Sequence, residues 1–476
     1  MAEEKTIGIT VKKSEDFHSW YEQICLKAEV ADFAPVSGTM IIRPRGYMVW
    51  QHIVDHFNKE INDKLGVKNA YFPLFIPSRF FEKEKEHAEG FAPEVAWVER
   101  KDEKEERIAL RPTSETIMYD SYARWIRSYR DLPLRLNQWC NIVRWETKDC
   151  KMFLRSREFL WQEGHCVYAR ADECHKETLL VLDNYEEMMK ELLCIAVLKG
   201  EKTAAERFAG ALHTFTVEGF MPDGKTLQMG TSHDLGQNFA KAFGITFIGK
   251  DEEQHYGHQN SWGVSTRLIG AIIMSHSDDK GLVLPPGLCD DKFVIVPIYK
   301  DDTKELVFHE AKKLLAGINE QGFFDDRDSY SPGWKFNEWE LKGIPLRIEI
   351  GPKDIAAKQV IIVPRDTGEK RAVPIDAVCA EITTELGAMK KRLYDKSLHR
   401  LATHKKSADT FDSLVSLVNS GNIVSAPFCG EKACEGEIKF ESGGITTRCI
   451  DEHTSNKNCV KCGKKAAFSV YFGRAY

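Results

Sequence analysis

Nowhere in the 476 residues do about eighteen consecutive apolar residues occur, the length a helix needs to cross a bilayer. The opening stretch, MAEEKTIGIT, lacks the apolar core of a secretory signal. Positive charge is not in excess: 66 Lys and Arg against 72 Asp and Glu leave a net −6. A uniformly basic nucleic-acid coat is therefore excluded. A local basic patch is not, because electrostatic footprints are patchy. No repeat of fixed period is visible, which argues against a solenoid or propeller. With 42% hydrophobic and 29% charged residues, the chain is also too apolar for disorder. The expectation is a cytoplasmic, multidomain globular protein with no membrane partner.

In the reducing cytosol, spaced cysteines mean metal or chemistry more often than disulfides. Of the thirteen here, Cys429 and Cys434 have four residues between them, Cys459 and Cys462 have two, and 24 residues separate the pairs. That spacing fits a closed, tetrahedral and therefore structural Zn²⁺ site, with ordinary reduced thiols as the alternative. Cys449 and His453 have no partner at short spacing and are left out. The other eight, from Cys25 to Cys379, are expected to be buried small hydrophobes.

Three parts can be distinguished: 1–287, 288–402 and 403–476. The first mixes strand-like runs with amphipathic helices and ends at Leu284-Pro285-Pro286-Gly287. The second opens with a buried-strand run, Lys292–Ile298. A helical pattern through Leu314, Leu315 and Ile318 follows, then strand-like runs at Pro345–Ile350 and Gln359–Val363, which indicates a small α/β domain. A helical stretch from Ile375 to about Ala402 leads out of it. The third part begins with a helix and becomes cysteine-rich. Two charge runs, Glu82–His87 and Glu99–Arg107, read as solvated surface, the second as a hairpin turn between Glu94–Val98 and Ile108–Leu110. Apolar residues at three- and four-residue spacing predict a helix over Tyr47–Leu65, with Gly66 as its C-cap. Asn69–Leu74 reads as an edge strand interrupted by Pro73.

The stretch RWETKDCKMFLRSREFLWQEGH, Arg144 to His165, holds two strand-like runs around a polar turn. Arg144 and Glu146 lie two apart; Arg155, Phe159 and Glu163 lie four apart. On strands each set shares one face. Guanidinium groups suit phosphate, an aromatic face suits a nucleobase, and carboxylates suit an amine. The competing reading is a charged sheet face with structural ion pairs.

Arg-x-Glu, a loop and Arg-x-x-x-Phe-x-x-x-Glu resemble motif 2 of the class II aminoacyl-tRNA synthetases. The Tyr47–Leu65 helix with the Pro73 strand resembles motif 1, the dimer interface of that class. Asn260-Ser261-Trp262-Gly263 with Arg267, followed by GLVLPP, resembles motif 3. Arg111-Pro112-Thr113-Ser114-Glu115-Thr116, Leu160–His165, Arg207-Phe208-Ala209-Gly210 and Gly230-Thr231-Ser232-His233 narrow the resemblance to the prolyl-tRNA synthetases, and it extends over essentially the whole chain. Arg207 stands where a Lys is expected, and motif 3 lacks the glycine-rich lead-in of the wider class. Only 103 residues separate Glu163 from Arg267, too few for the editing domain of bacterial-type enzymes. The archaeal/eukaryotic type is the better match.

The resemblance implies an α/β (α+β) architecture: an antiparallel-sheet catalytic domain, an α/β anticodon-binding domain and a C-terminal zinc-binding domain. It implies a homodimer that activates L-proline with ATP and Mg²⁺ and transfers it to tRNA(Pro). Arg144 and Arg267 would be catalytic. Thr113, Glu115, Arg144, Trp161, Glu163, His165, Phe208 and His233 would hold proline. Arg144, Glu146, Arg155, Phe159, Gln228, Thr231 and Arg267 would hold ATP. Glu340, Arg347, Lys353 and Asp354 lie in strings resembling the anticodon-reading surface, with a solvated charged face as the alternative. Two rivals are a class II synthetase for threonine or glycine and an inactive paralogue acting as a tRNA-binding or regulatory subunit. The motif strings show no catalytic-domain zinc set of the threonine kind, and they keep the nucleotide arginines.

Overall fold

A computed structural model describes residues 8–81, 94–145, 149–453 and 456–476. Glu146 and the charge run Glu82–His87 lie outside the described residues.

The first sheet has seven strands: β1 (Lys68–Asn69), β2 (Leu134–Val143), β3 (Glu158–Tyr168), β4 (Val197–Glu201), β5 (His213–Phe220), β6 (Thr226–Gly236) and β7 (His258–Ser265). They are ordered β1-β2-β3-β7-β6-β5-β4, and every pair is antiparallel except β1 with β2. Helices α1 (Phe17–Lys27), α2 (Pro44–Phe57), α4 (Ala171–Glu191) and α5 (Arg267–His276) bury their apolar faces against one side of this sheet. In α4, Thr178, Val181, Leu182, Tyr185, Met188 and Met189 recur at three- and four-residue spacing and all are buried. The other side of the sheet is left open as a cleft, with α3 (Glu115–Trp125) closing one end.

Some local expectations change. The α2 helix starts earlier than predicted, with Pro44 at its first turn, and runs regularly only to Phe57. A wider π turn, Asn58–Asn62, follows before the last helical turn. The Asn58 side chain ties this turn down by accepting from Asn62, Asn69 and Trp139 at 2.8–3.1 Å. Gly66 ends the helix in the left-handed region, φ 67°, as its position predicts. The adjoining strand is only Lys68–Asn69, and Pro73 lies beyond it. The Glu99–Arg107 run does cross a hairpin, with Val98 N donating to Ile108 O and Leu110 N to Ala96 O.

A second sheet, β8 (Phe293–Pro297), β9 (Gly322–Phe324), β10 (Leu346–Ile350), β11 (Gln359–Pro364) and β12 (Arg371–Pro374), has the order β9-β8-β10-β11-β12. Its longer helices are α6 (Lys304–Ala316) and α7 (Pro332–Lys342), with one further short helix over Pro352–Ala356; Ile318 falls just outside α6. Gly281, at φ 145°, passes so close to this unit that a Cβ there would stand 2.4 Å from the Leu341 Cα. Both Arg365 Nη atoms donate to Asp278 across the same junction, at 2.6 and 2.8 Å.

Helix α8 (Val378–His404) runs on into a third unit built from α9 (Phe411–Asn419), α10 (Lys432–Glu441) and the sheet β13 (Lys405–Ser407), β14 (Ile423–Phe428), β15 (Thr446–Glu452) and β16 (Phe468–Gly473). This unit packs back on β4 and β5 through Cys449, Ile423 and Tyr471, which share a buried cluster with Ala196 and Phe220.

Candidate active site

The cleft encloses about 290 Å³ at its closed end. Strand alternation on β3 turns Phe159, Trp161, Glu163 and His165 to one face, and all four line the cavity. Gly164, between the last two, faces the opposite way, where a Cβ would stand 2.3 Å from the Trp262 ring. From β6 come Gln228, Thr231 and His233; Thr113 comes from the turn before α3 and Glu115 from the first position of that helix. The segment between β4 and β5 adds Phe208, whose ring centroid is 4.7 Å from that of His233.

At this end a buried polar network forms. Thr113 donates to Glu115, and Ser114 Oγ donates to Glu163. Gln138 Nε2 donates to the same Glu163 at 3.1 Å, and His165 Nε2 lies 3.1 Å from the other carboxylate oxygen. The Tyr119 hydroxyl lies 3.1 Å from His165 Nδ1. Burial opposes ionisation of Glu163, but the hydrogen bonds from His165, Ser114 and Gln138 outweigh it and hold the carboxyl low. The same pairing holds His165 above its ordinary value against burial. His233 is the opposite case: burial, helped by the Lys202 charge, pushes it down to about 3, so it is neutral. Its Nδ1 lies 3.0 Å from Thr214 Oγ1.

The closed lobe meets a second one of about 300 Å³, lined by Arg155, Ser156, Phe153 and Tyr476. Arg144, Phe159 and Arg267 line both lobes. The Arg144 guanidinium sits 5.6 Å from the Phe159 ring centroid and 5.3 Å from that of Trp161, with Nε donating to Pro112 O at 3.2 Å. Arg267, at the start of α5, donates to Gln228 O at 3.4 Å. Burial and the nearby Arg144 charge bring it down to about 10. Two guanidiniums at one waist, beside aromatic rings, form a site for an anion next to a planar ring.

Sequence alternation places Phe159 and Glu163 correctly. It does not place Arg144 and Arg155, which lie beyond the ends of β2 and β3. Arg155 belongs to the second lobe only. Lys202, Glu206 and Ser261 also line the closed lobe and were missed. Among the described residues, Ser261 Oγ is buried without a hydrogen-bond partner, as is Trp161 Nε1. Ser261 could have been found by its place in the Asn260–Gly263 string, and its register opposite His233 brings it to the cavity.

The four candidates in the second unit separate into two groups. Arg347 is buried, with ion pairs to Glu340 and Glu349 at 3.0 Å. Asp354 sits past the other end of β10 and accepts from Gly351 N at 3.0 Å, a capping role; Lys353 beside it is exposed.

The thiols of Cys429, Cys434, Cys459 and Cys462 all lie within 4.8 Å of one another, and Cys434 and Cys459 are 3.9 Å apart. Tetrahedral Zn–S bonds of about 2.3 Å require sulfurs about 3.8 Å apart, so the set fits zinc. Burial works against the Cys459 thiolate, yet backbone N–H groups of Cys462, Lys461 and Cys429 hold its pKa low. Cys449 lies instead at the junction with β4, where a Cβ on Gly200 would stand 3.1 Å from its own Cβ. Of the eight scattered cysteines, Cys150 is exposed and Cys140 and Cys379 are half-buried, against expectation; the other five are buried.

Three family models match the chain: the tRNA synthetase class II core domain (G, H, P, S and T) over 97–276, an anticodon binding domain over 292–385, and the prolyl-tRNA synthetase C-terminal domain over 411–476. The chain is 45% identical to a proline–tRNA ligase of Lachnoclostridium phytofermentans, covering 100% of this chain and 99% of that one. It is 42% identical to that of Haloarcula marismortui, with 100% of both covered. A putative proline–tRNA ligase of Saccharomyces cerevisiae is 44% identical over 99% of this chain and 74% of its own. The crystal structure of a Cryptosporidium parvum prolyl-tRNA synthetase complexed with halofuginone and AMPPNP is similar with a TM-score of 0.92 at 40% identity, covering 99% of this chain and 98% of that one.

Proposed function

The chain belongs to the prolyl-tRNA synthetases, class II ligases that use ATP to join proline to its tRNA, and from that premise we propose how its residues share the work. Proline occupies the closed lobe. Its secondary ammonium meets Thr113 and Glu115, and its ring packs among Trp161, Phe208 and His233, with Glu163 and His165 fixing the floor. ATP, as its Mg²⁺ complex, takes the outer lobe. Adenine lies between Phe159 and Arg267, Arg155 meets the γ-phosphate, and Gln228 and Thr231, on the wall of the closed lobe, contact the nucleotide where it reaches the waist. Glu146 accepts from the adenine amino group.

The proline carboxylate attacks the α-phosphorus, the bond to the pyrophosphate oxygen breaks, and prolyl-adenylate forms. The nucleophile is already an anion, so no general base is needed. The difficulty is crowded negative charge, which Arg144 and Arg267 relieve. The observation that carries this reading is that these two arginines and Phe159 line both lobes, at the point where carboxylate and phosphate must meet. Proline-dependent ATP–pyrophosphate exchange tests it: exchange with proline and not with threonine or glycine is expected, and its absence would overturn the assignment. Nothing supports the inactive alternative, since the arginines of such a site remain in the cleft.

Several finer readings are proposals as well. The catalytic, anticodon-binding and C-terminal zinc-binding domains span 1–287, 288–402 and 403–476. The archaeal/eukaryotic type is supported by the 103 residues between Glu163 and Arg267, which β3–β7, α4 and their connections occupy. Relatives from archaea, yeast and clostridia are equally close, so the label describes architecture. Lys353 is the better anticodon candidate, being exposed where Arg347 is buried. The four clustered cysteines hold a structural Zn²⁺. A homodimer would cover Tyr71 and Phe75, exposed beside the motif 1 segment. Cytoplasmic residence is supported by the clustered cysteines, whose metal-type spacing suits a reducing compartment, and no described helix is long and apolar enough to cross a membrane.

A further inference from the structure

The wall of the closed lobe depends on a segment with no regular secondary structure. Between β4 and β5, residues 202–212 bring Lys202, Glu206 and Phe208 to the cavity. Within the catalytic unit this segment is tied by Lys202 N donating to Thr214 O at 2.8 Å and Phe208 N donating to Thr214 Oγ1 at 3.0 Å.

The far end of the segment is tied within the same unit by Leu212 N donating to Asp234 O at 2.8 Å and Asn238 Nδ2 donating to Gly210 O at 2.9 Å, while at its start a further tie comes from the C-terminal unit. Thr203 Oγ1 donates to Glu435 Oε2 on α10 at 2.9 Å. Thr447 Oγ1 on β15 donates to Glu435 Oε1 at 2.5 Å and lies 3.0 Å from Thr203 Oγ1. Next to it, Arg448 Nη2 pairs at 2.8 Å with Glu218 on β5, and Glu218 Oε1 is 3.7 Å from Lys202 Nζ. All of these residues are buried. A buried carboxylate or guanidinium is costly unless paired, and here each finds a partner across the boundary between units.

We propose that Glu435 is a positioning residue for the proline pocket: it anchors the start of segment 202–212 through Thr203, so that the C-terminal unit sets the fit of the amino acid. The chemistry at the α-phosphorus lies at the cleft waist, where Arg267 feels the charges of Glu218 and Arg448; Thr203 and Glu435 themselves line neither lobe. A loosened anchor therefore weakens proline binding and spares ATP. The inference rests on proline occupying the closed lobe.

The test is steady-state ATP–pyrophosphate exchange with the full chain. Thr203→Val keeps the side-chain shape and removes the donor. It should raise KM for proline about tenfold, the loss of one hydrogen bond to a charged group. KM for ATP and kcat should stay within twofold. Glu435→Ala should match it, Glu435→Gln, which keeps an acceptor, should stay within threefold of the parent, and the double variant Thr203→Val/Glu435→Ala should be no worse than either single one. Because Thr203→Val preserves volume, the test remains readable if Glu435→Ala does not fold. A proline KM raised less than threefold in Thr203→Val, or equal shifts in proline KM, ATP KM and kcat, overturns the anchor. His233→Ala separates the two possible failures. If it leaves proline KM unchanged, the pocket assignment itself is wrong; if it raises proline KM while Thr203→Val does not, only the anchor fails.

Discussion

Arg144 and Arg267 bring two guanidinium groups to the waist between the lobes. Burial first, and then the Arg144 charge, bring Arg267 down to about 10. Removing either donor should cost about 10²–10³ in the exchange rate, the usual loss for one preorganised transition-state contact. A parent-like rate in Arg144→Ala would remove that residue from the chemistry. His276 makes a separate prediction. It is buried in α5 with Nε2 2.8 Å from Leu193 O, and burial pushes it down to about 3. The unfolded chain therefore binds one more proton between about pH 6.5 and pH 3, and stability falls as pH falls through that window. His276→Gln should flatten the pH dependence of urea unfolding there by up to about 1.4 kcal/mol per pH unit. Identical slopes would show that another group governs acid unfolding. Residue roles of this kind were legible in the sequence only where a motif string carried them. His276 and Lys202 owe their state to burial by distant segments, which no local pattern announces.

At the scale of elements, three- and four-residue spacing located α6 and α8, and β8, β10 and β11 were legible as apolar runs, since β8 and β10 are buried along their whole length. Sequence pattern missed the π turn at Asn58–Asn62, where the Asn58 side chain accepts from Asn62, Asn69 and Trp139, and the early end of the strand before Pro73, where Phe72 O and Leu74 O accept from Arg111 instead. It also failed for Arg144 and Arg155, since alternation holds only while the backbone stays extended. The cysteine set was legible because metal spacing is a local property of two short turns. Its consequence is testable: purified protein should carry about one zinc per chain, and Cys459→Ser should lower both zinc content and Tm. Metal-free protein with parent-like Tm would favour plain thiols.

For the whole molecule, the separation of the catalytic and anticodon-binding units predicts two classes of variant. Lys353→Ala should weaken prolylation of tRNA while leaving pyrophosphate exchange nearly intact, because activation needs no tRNA. Arg347→Ala leaves Glu349 buried without one of its partners and should lower stability, reducing both reactions together. Equal losses in both reactions for Lys353→Ala would make it a structural residue. Since the span from β3 to β7 is filled by the catalytic sheet itself, preformed alanyl-tRNA bearing the proline anticodon should survive incubation with the enzyme as it does in buffer. Rapid ester release would reveal a hydrolytic site elsewhere.

The ties from Thr203 to Glu435 and from Glu218 to Arg448 also impose an order in time. A ribosome making this chain releases the whole catalytic sheet first, and the partners of that sheet's pocket wall emerge only after another 180 or so residues. At about 5–20 residues per second, that is a wait of roughly 10–40 s. During it, Thr203 and Glu218 are exposed polar groups without their final partners, and the nascent enzyme holds the residues for chemistry without a finished seat for its amino acid. A message cut short before codon 435 would thus yield a protein that folds in part and binds proline poorly, so that full competence is conferred only on chains read through to their last domain.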